Sequence, residues 1–211
     1  ALPTDVAVLP DGSFYVSDGY GNARVARFDA SGRFAAEFGA RGAGRGQFDL
    51  PHGIALDAAG RVYVADRGNA RIQIFDAGGR FLHQWKSEAL GRPYGIAIGV
   101  DAKAYVVDGG DQPASPPDRS RAMRLDREGT IEATFGRFGH YDGQFNGAHA
   151  VAVGADGAVY VVDAFGMRVQ KFLPRARGAP ASAVTRDAAG AASRECLPSA
   201  TIDHGTRGAT A

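Results

Sequence analysis

The chain has 211 residues, a formal net charge of +1 and 45% hydrophobic residues, an ordinary globular composition. Its 30 glycines are about twice the usual share of roughly 7%, yet they follow no G-X-Y period, so a collagen-like chain is excluded. The single cysteine, Cys196, excludes an intrachain disulfide framework and a cysteine-rich zinc site; no apolar run approaches the ~20 residues that cross a bilayer, and the balanced charge argues against a coat for nucleic acid.

The first residues read as a strand rather than a signal peptide, so the chain is expected to begin inside a fold. That line, Pro3-Thr4-Asp5-Val6-Ala7-Val8, returns as Pro51-His52-Gly53-Ile54-Ala55-Leu56 and Pro93-Tyr94-Gly95-Ile96-Ala97-Ile98, and more loosely as Ala148-His149-Ala150-Val151-Ala152-Val153. The interval is roughly 45 residues, the length of a propeller blade. A second line follows each first one: Phe14 to Asp18, Val62 to Asp66, Ala104 to Asp108 and Val159 to Asp163. A third sets an arginine four residues before an apolar anchor, as in Arg24 to Phe28, Arg71 to Phe75, Arg121 to Leu125 and Arg168 to Phe172. A fourth closes three of the units, at Phe34 to Phe38, Phe81 to Trp85 and Ile131 to Phe135.

Each line is short, β-branched or aromatic, and bounded by turn residues. Asp11-Gly12, Ala59-Gly60 and Asp156-Gly157 predict two-residue hairpin turns between the first and second lines. Four short antiparallel strands repeated in one order describe an all-β protein, a β-propeller; a sandwich of unrelated hairpins does not predict that order four times. The blades span about residues 2–49, 50–91, 92–146 and 147–173 of a propeller domain over 1–173. Residues 174–211 contain no aromatic residue and are rich in Ala, Gly, Arg, Ser and Thr, so they are expected to form a disordered tail in which Cys196 and His204 are inert.

Strand alternation also sorts the loops. The loops entering the first line and those joining lines two and three share one face, while the minimal turns share the other. The entry loops present Thr4, His52, Tyr94 and His149, and the second set presents Tyr20, Arg67, an insertion over 109–120 and Phe165. Loops held by a rigid scaffold are where binding chemistry concentrates. His52 and His149 are expected to point into one channel as a pair of zinc ligands; the plainer role is a hydrogen bond to a carbonyl. Tyr20, in a loop one residue longer than its counterpart, is a candidate for proton transfer, against a packing role. Arg67 is a candidate clamp for a carboxylate, against a rim ion pair. Arg24, Arg71, Arg121 and Arg168 occur in every unit, which favours structural pairing with the unit's own aspartate. His83 and His140 also read as structural.

The Pro-x-Gly-Ile-Ala line, Val62-Tyr63-Val64-Ala65-Asp66, Asn69 to Phe75, and the runs Gly44 to Phe48 and Tyr141 to Phe145 resemble NHL repeats. That resemblance implies a propeller of about six blades. Four are visible and the fourth lacks its outer strand, so missing blades or a partner chain are expected to close the ring. A narrower resemblance is carried by Val16 to Arg24, Gly46-Gln47-Phe48 with Leu50-Pro51-His52, Val64 to Gln73, and Gly110-Asp111-Gln112-Pro113. These are similar to the peptidyl-α-hydroxyglycine α-amidating lyases. In that family a channel zinc is held by three histidines, and a tyrosine and arginines act on the hydroxyglycine to give a peptide amide and glyoxylate. The resemblance implies a carbon–nitrogen lyase with His52 and His149 as two zinc ligands, Tyr20 as the catalytic tyrosine, Arg67 on the substrate carboxylate, and an extracellular or periplasmic location. It departs from the family at Gly21, where a cysteine is usual, and at Gly147-Ala148. It departs again at Ala150, which replaces the aspartate of a calcium site. The expected partner is a peptide or small molecule at the channel mouth; neither a membrane nor nucleic acid is expected. The competing class is a non-catalytic propeller that binds protein or carbohydrate on the same face.

Overall fold

The computed structural model describes residues 2–110 and 119–174. Within them, fifteen strands form four antiparallel sheets. The first holds β1 (Asp5–Val8), β2 (Phe14–Asp18), β3 (Arg24–Phe28) and β4 (Phe34–Phe38), in chain order. The second holds β5 (Pro51–Leu56), β6 (Val62–Asp66), β7 (Arg71–Phe75) and β8 (Phe81–Trp85), and the third β9 (Pro93–Ile98), β10 (Ala104–Asp108), β11 (Arg121–Leu125) and β12 (Ile131–Phe135). The fourth has three strands, β13 (Ala148–Val153), β14 (Val159–Asp163) and β15 (Arg168–Phe172). This is the all-β propeller that the repeat predicts. The expected tail beyond Pro174, with Cys196 and His204, and most of the 109–120 insertion lie outside the described residues.

The hairpin turns differ from expectation. They are longer than two residues: the first joins Val8 to Phe14, the Leu9 N–H donates to the Ser13 carbonyl at 2.8 Å, and the Gly12 N–H donates to Leu9 at 2.9 Å. Gly12 has φ of 84°, so it takes the left-handed position of a longer turn rather than the centre of a two-residue one. The loop from β3 to β4 has the same form, and there Asp29 also accepts the Ser31 and Arg33 N–H groups.

Three apolar clusters join neighbouring blades. Phe48, Phe75, Tyr15 and Val25 fill the space between the first and second; Trp85, Leu90, Met123 and Ile96 that between the second and third; Phe145, Val107, Tyr105 and Val161 that between the third and fourth. The second blade is therefore buried throughout β6 and β7, while Val6 and Val8 at one end and Val162 and Val169 at the other are exposed. The inner strands approach closely near the axis. A Cβ on Gly53 would stand 2.7 Å from the Tyr94 carbonyl oxygen, so only glycine lets β5 lie so near β9.

The recurring arginines bind the recurring aspartates. Arg24 Nε lies 3.1 Å from Asp18, Arg71 Nε 2.8 Å from Asp66, Arg121 Nη2 3.4 Å from Asp108 and Arg168 Nε 3.2 Å from Asp163. In the second blade the same guanidinium grips the incoming connector, donating to the carbonyls of Ala43, Gly44 and Gln47. Gln73 adds a bond to the Gln47 carbonyl and accepts the Gly46 N–H. Arg168 and Gln170 repeat this grip on Tyr141, Gly143 and Gln144.

Candidate functional site

His52 and His149 stand at the start of two inner strands, β5 and β13, which have the bounds of the first repeat lines; they are the second residues of these strands rather than members of the loops that enter them. The register of each strand against its neighbour shifts there, between Pro51 and Ile54 and between Ala148 and Ala150. Such bulges re-aim a side chain at the end of a ladder. The two rings meet edge to face with centroids 4.8 Å apart.

His52 is buried, and its Nδ1 lies 2.8 Å from the Tyr94 carbonyl oxygen. A carbonyl can only accept, which assigns the proton to Nδ1 and leaves the lone pair on Nε2. Nε2 lies 3.2 Å from the Tyr20 hydroxyl, which therefore donates to it. Burial is the main cause that pushes His52 down from 6.5 to about 4, with the Arg67 and His149 charges adding to it. His149 is lowered too, first by burial and then by Arg67. Both imidazoles are thus held neutral near pH 7.

A cavity of about 370 Å³ opens beside them, lined by Tyr20, Arg67, Tyr94, His149 and Phe165 above a floor of small residues. Tyr20 and Phe165 come from the loops after β2 and β14, and both are half exposed. Arg67 follows Asp66 at the end of β6. Its Cζ sits 3.9 Å from the centroid of the Tyr94 ring, and it forms no ion pair with a carboxylate among the described residues. Thr4, the first-blade member of the same column, is spent otherwise: its hydroxyl lies 2.9 Å from the carbonyls of Ser17 and Pro51. The structure therefore brings Tyr20, Arg67 and His149 around one space, sets His52 buried behind them against Tyr20 and His149, and leaves Thr4 out of it.

Tyr94 is the residue the sequence reading passed over. It was one aromatic in a column of entry residues, yet its ring touches Arg67, His52 and His149. Its place beside the two histidines in the repeat column was the available signal. Gly109 and Gly147 were missed as well. A Cβ on Gly109 would stand 2.7 Å from the Ala148 carbonyl and 2.9 Å from the Tyr94 ring, so that floor tolerates no side chain.

Among the described residues, no group of three or more His, Cys, Asp or Glu side chains is placed to hold a metal ion. Two neutral imidazoles suit zinc as nitrogen donors, but the Nε2 lone pair of His52 is taken here by the Tyr20 hydroxyl, and they are two of the three or four donors that such sites use. A complete set needs a donor from beyond the described residues.

Comparison with known proteins decides the family. The NHL repeat model matches residues 1–28 and 48–75, the first two blades through their third strands. The chain is an NHL-repeat β-propeller. This propeller is 35% identical over 187 residues to peptidyl-glycine alpha-amidating monooxygenase B of Xenopus laevis, covering 82% of this chain and 20% of that one. It is 29% identical over 196 residues to peptidyl-alpha-hydroxyglycine alpha-amidating lyase 1 of Drosophila melanogaster, covering 85% and 36%. The NHL propeller thus spans between a fifth and about a third of the length of these curated relatives. A virginiamycin B lyase from Staphylococcus aureus shares the fold, with a TM-score of 0.58 at 19% identity over 80% of this chain and 51% of that one. No helix among the described residues is long and apolar enough to cross a membrane.

The depressed imidazole gives a pH prediction for the metal-free propeller. The unfolded chain takes up a proton near 6.5, whereas folded His52 resists it until about 4. The unfolded state therefore binds more protons across that window, and stability is lost as pH falls from 6.5 towards 4. His52→Asn should flatten the fall by roughly 1–3 kcal/mol, read from thermal unfolding at pH 7, 5.5 and 4.5.

Proposed function

We propose that this face of the propeller binds a peptidyl-α-hydroxyglycine and cleaves its C–N bond, releasing a peptide amide and glyoxylate. The observation that carries the reading is a guanidinium, Arg67, without an ion pair among the described residues, lining one cavity with a phenol that is hydrogen-bonded to a neutral imidazole. The names of the relatives support it, and so does the substrate's own chemistry. A hydroxyglycine ends in a carboxylate, which the free fork of Arg67 fits. The α-hydroxyl must lose its proton as the C=O bond of glyoxylate forms. The C–N electron pair then passes to the amide nitrogen, which takes up a proton. Tyr20 Oη is the carrier between those two atoms. His52, through the Nε2 lone pair that the Tyr20 hydroxyl occupies in this structure, and His149 would hold a zinc ion together with a further donor, releasing Tyr20 to the substrate, and that ion would supply Lewis-acid stabilisation of the negative charge on the α-oxygen. Phe165 and Tyr94 add aromatic surface to the wall of the cavity. An extracellular or periplasmic setting belongs to the same proposal.

The test is glyoxylate release by the zinc-loaded full-length protein from α-hydroxyhippurate, with benzamide in equal amount. Binding of that compound without release would overturn the lyase reading and leave a binding scaffold. Arg67→Gln is expected to raise KM about 10- to 100-fold with a smaller change in kcat, because the carboxylate is held alike in ground and transition states. Steady-state kinetics on α-hydroxyhippurate reads this directly.

A further inference from the structure

Tyr94 touches His52, His149 and Arg67 together. Its carbonyl accepts the His52 Nδ1–H at 2.8 Å, its ring lies 5.3 Å from His52 and 5.5 Å from His149, and Arg67 Cζ sits 3.9 Å above it. The side chain is 4% exposed and lines the cavity. Its hydroxyl, though buried, makes no hydrogen bond in the structure. Burial raises the phenol's pKa, and Arg67 opposes that rise by its charge and by its approach to the hydroxyl, yet the two groups fall outside hydrogen-bond geometry. The contact with Arg67 that the structure resolves is therefore the one made by the ring.

That ring addresses a specific difficulty. Arg67 has no carboxylate partner among the described residues, and a free arginine side chain carries about 2 kcal/mol of rotamer entropy. A guanidinium engaged through its π face keeps its N–H donors, which lie in its own plane, free for an anion. The aromatic face thus restrains the group without using the atoms that recognise a ligand. An aspartate in the same place would restrain it too, but would occupy the donors and cancel the charge.

We propose that Tyr94 is a positioning residue, whose ring holds the Arg67 guanidinium across the cavity with its donors open to a ligand carboxylate. This rests on Arg67 as the carboxylate contact of the lyase reading, and its test does not depend on turnover. Hippurate has the carboxylate but lacks the hydroxyl, so it binds without reacting; methyl hippurate has the same body without the charge. Their dissociation constants would be measured by calorimetry on the zinc-loaded full-length protein and on Tyr94→Phe, Tyr94→Leu, Arg67→Gln and the Leu–Gln double variant.

Tyr94→Phe should keep the wild-type preference for hippurate over the ester, and its Tm should hold or rise, since a buried hydroxyl without a partner is removed. Tyr94→Leu should lose about 5- to 30-fold of hippurate affinity with little change for the ester. In the double variant the Leu substitution should cost nothing further, because its effect passes through Arg67. Should Tyr94→Leu fail to fold, Tyr94→His, which keeps an aromatic face, takes its place and should retain part of the preference. Full hippurate preference in Tyr94→Leu, equal losses for acid and ester, additive losses in the double variant, or no hippurate binding by the wild type would each overturn the proposal. A protein that shows the expected hippurate pattern yet releases no glyoxylate from α-hydroxyhippurate would refute the lyase reading while leaving the role of Tyr94 standing.

Discussion

Asp66→Ala is expected to cost about 3–5 kcal/mol of stability, the largest single loss foreseen for this fold. Asp66 is fully buried at the end of β6 and accepts four donors: the Asp49 N–H at 2.8 Å, Asn69 Nδ2 at 2.8 Å, Arg71 Nε at 2.8 Å and Gln73 Nε2 at 3.2 Å. Its removal strands the Arg71 charge, whose side chain is 4% exposed, and frees the donors that secure the connector from the first blade. The cost arises from the uncompensated cation more than from the lost attraction. Glu37→Ala is the control: it removes an ion pair with Arg24 between side chains that are 47% and 36% exposed, and should cost under about 1 kcal/mol. Urea unfolding of the two variants separates these outcomes, and equal losses would mean that the Asp66 cluster does not anchor the blade.

Tyr20→Phe carries the largest expected effect on activity, a fall in kcat of about 10²- to 10⁴-fold with KM within a few fold of wild type. The substitution leaves the ring and its edge contact with His52, centroids 5.7 Å apart, and removes only the hydroxyl that lies 3.2 Å from Nε2. Tyr20 is half exposed and packs on little else, so the fold should be indifferent and Tm unchanged. Single-turnover glyoxylate release would read the chemical step alone. A variant with unchanged kcat would assign the proton transfer to another group and reduce Tyr20 to a wall of the cavity.

The architecture was legible because four lines recur in one order, and the pairing of Arg71 with Asp66 could be read from the same columns. The bulges were not. The first line already ran from Pro51 to Leu56, but nothing in Pro51-His52-Gly53 announces the register shift there, since it arises from how β5 meets β6 and how closely β9 approaches Gly53. The hairpin turns were misjudged for a related reason: Asp-Gly suits a two-residue turn, but Gly12 is used one position later, where a left-handed residue closes a longer loop. Tyr94 was placed on the working face but given no role, because its distance from Arg67 depends on two strands that adjoin only after folding. The Gln73 and Gln170 grips could have been found, as the third line carries Arg-x-Gln only in the two blades that follow a glycine-rich connector.

That grip sets an order of events. The carbonyls of Gly44 and Gln47 are captured by Arg71, which emerges from the ribosome 27 and 24 positions after them. A nascent first sheet can pair its own strands, but its outgoing segment stays unanchored until the second sheet has been synthesised; Tyr141 and Gln144 wait in the same way for Arg168. Assembly should therefore run as a relay in which each newcomer locks its predecessor, with nearest-neighbour coupling carrying most of the cooperativity.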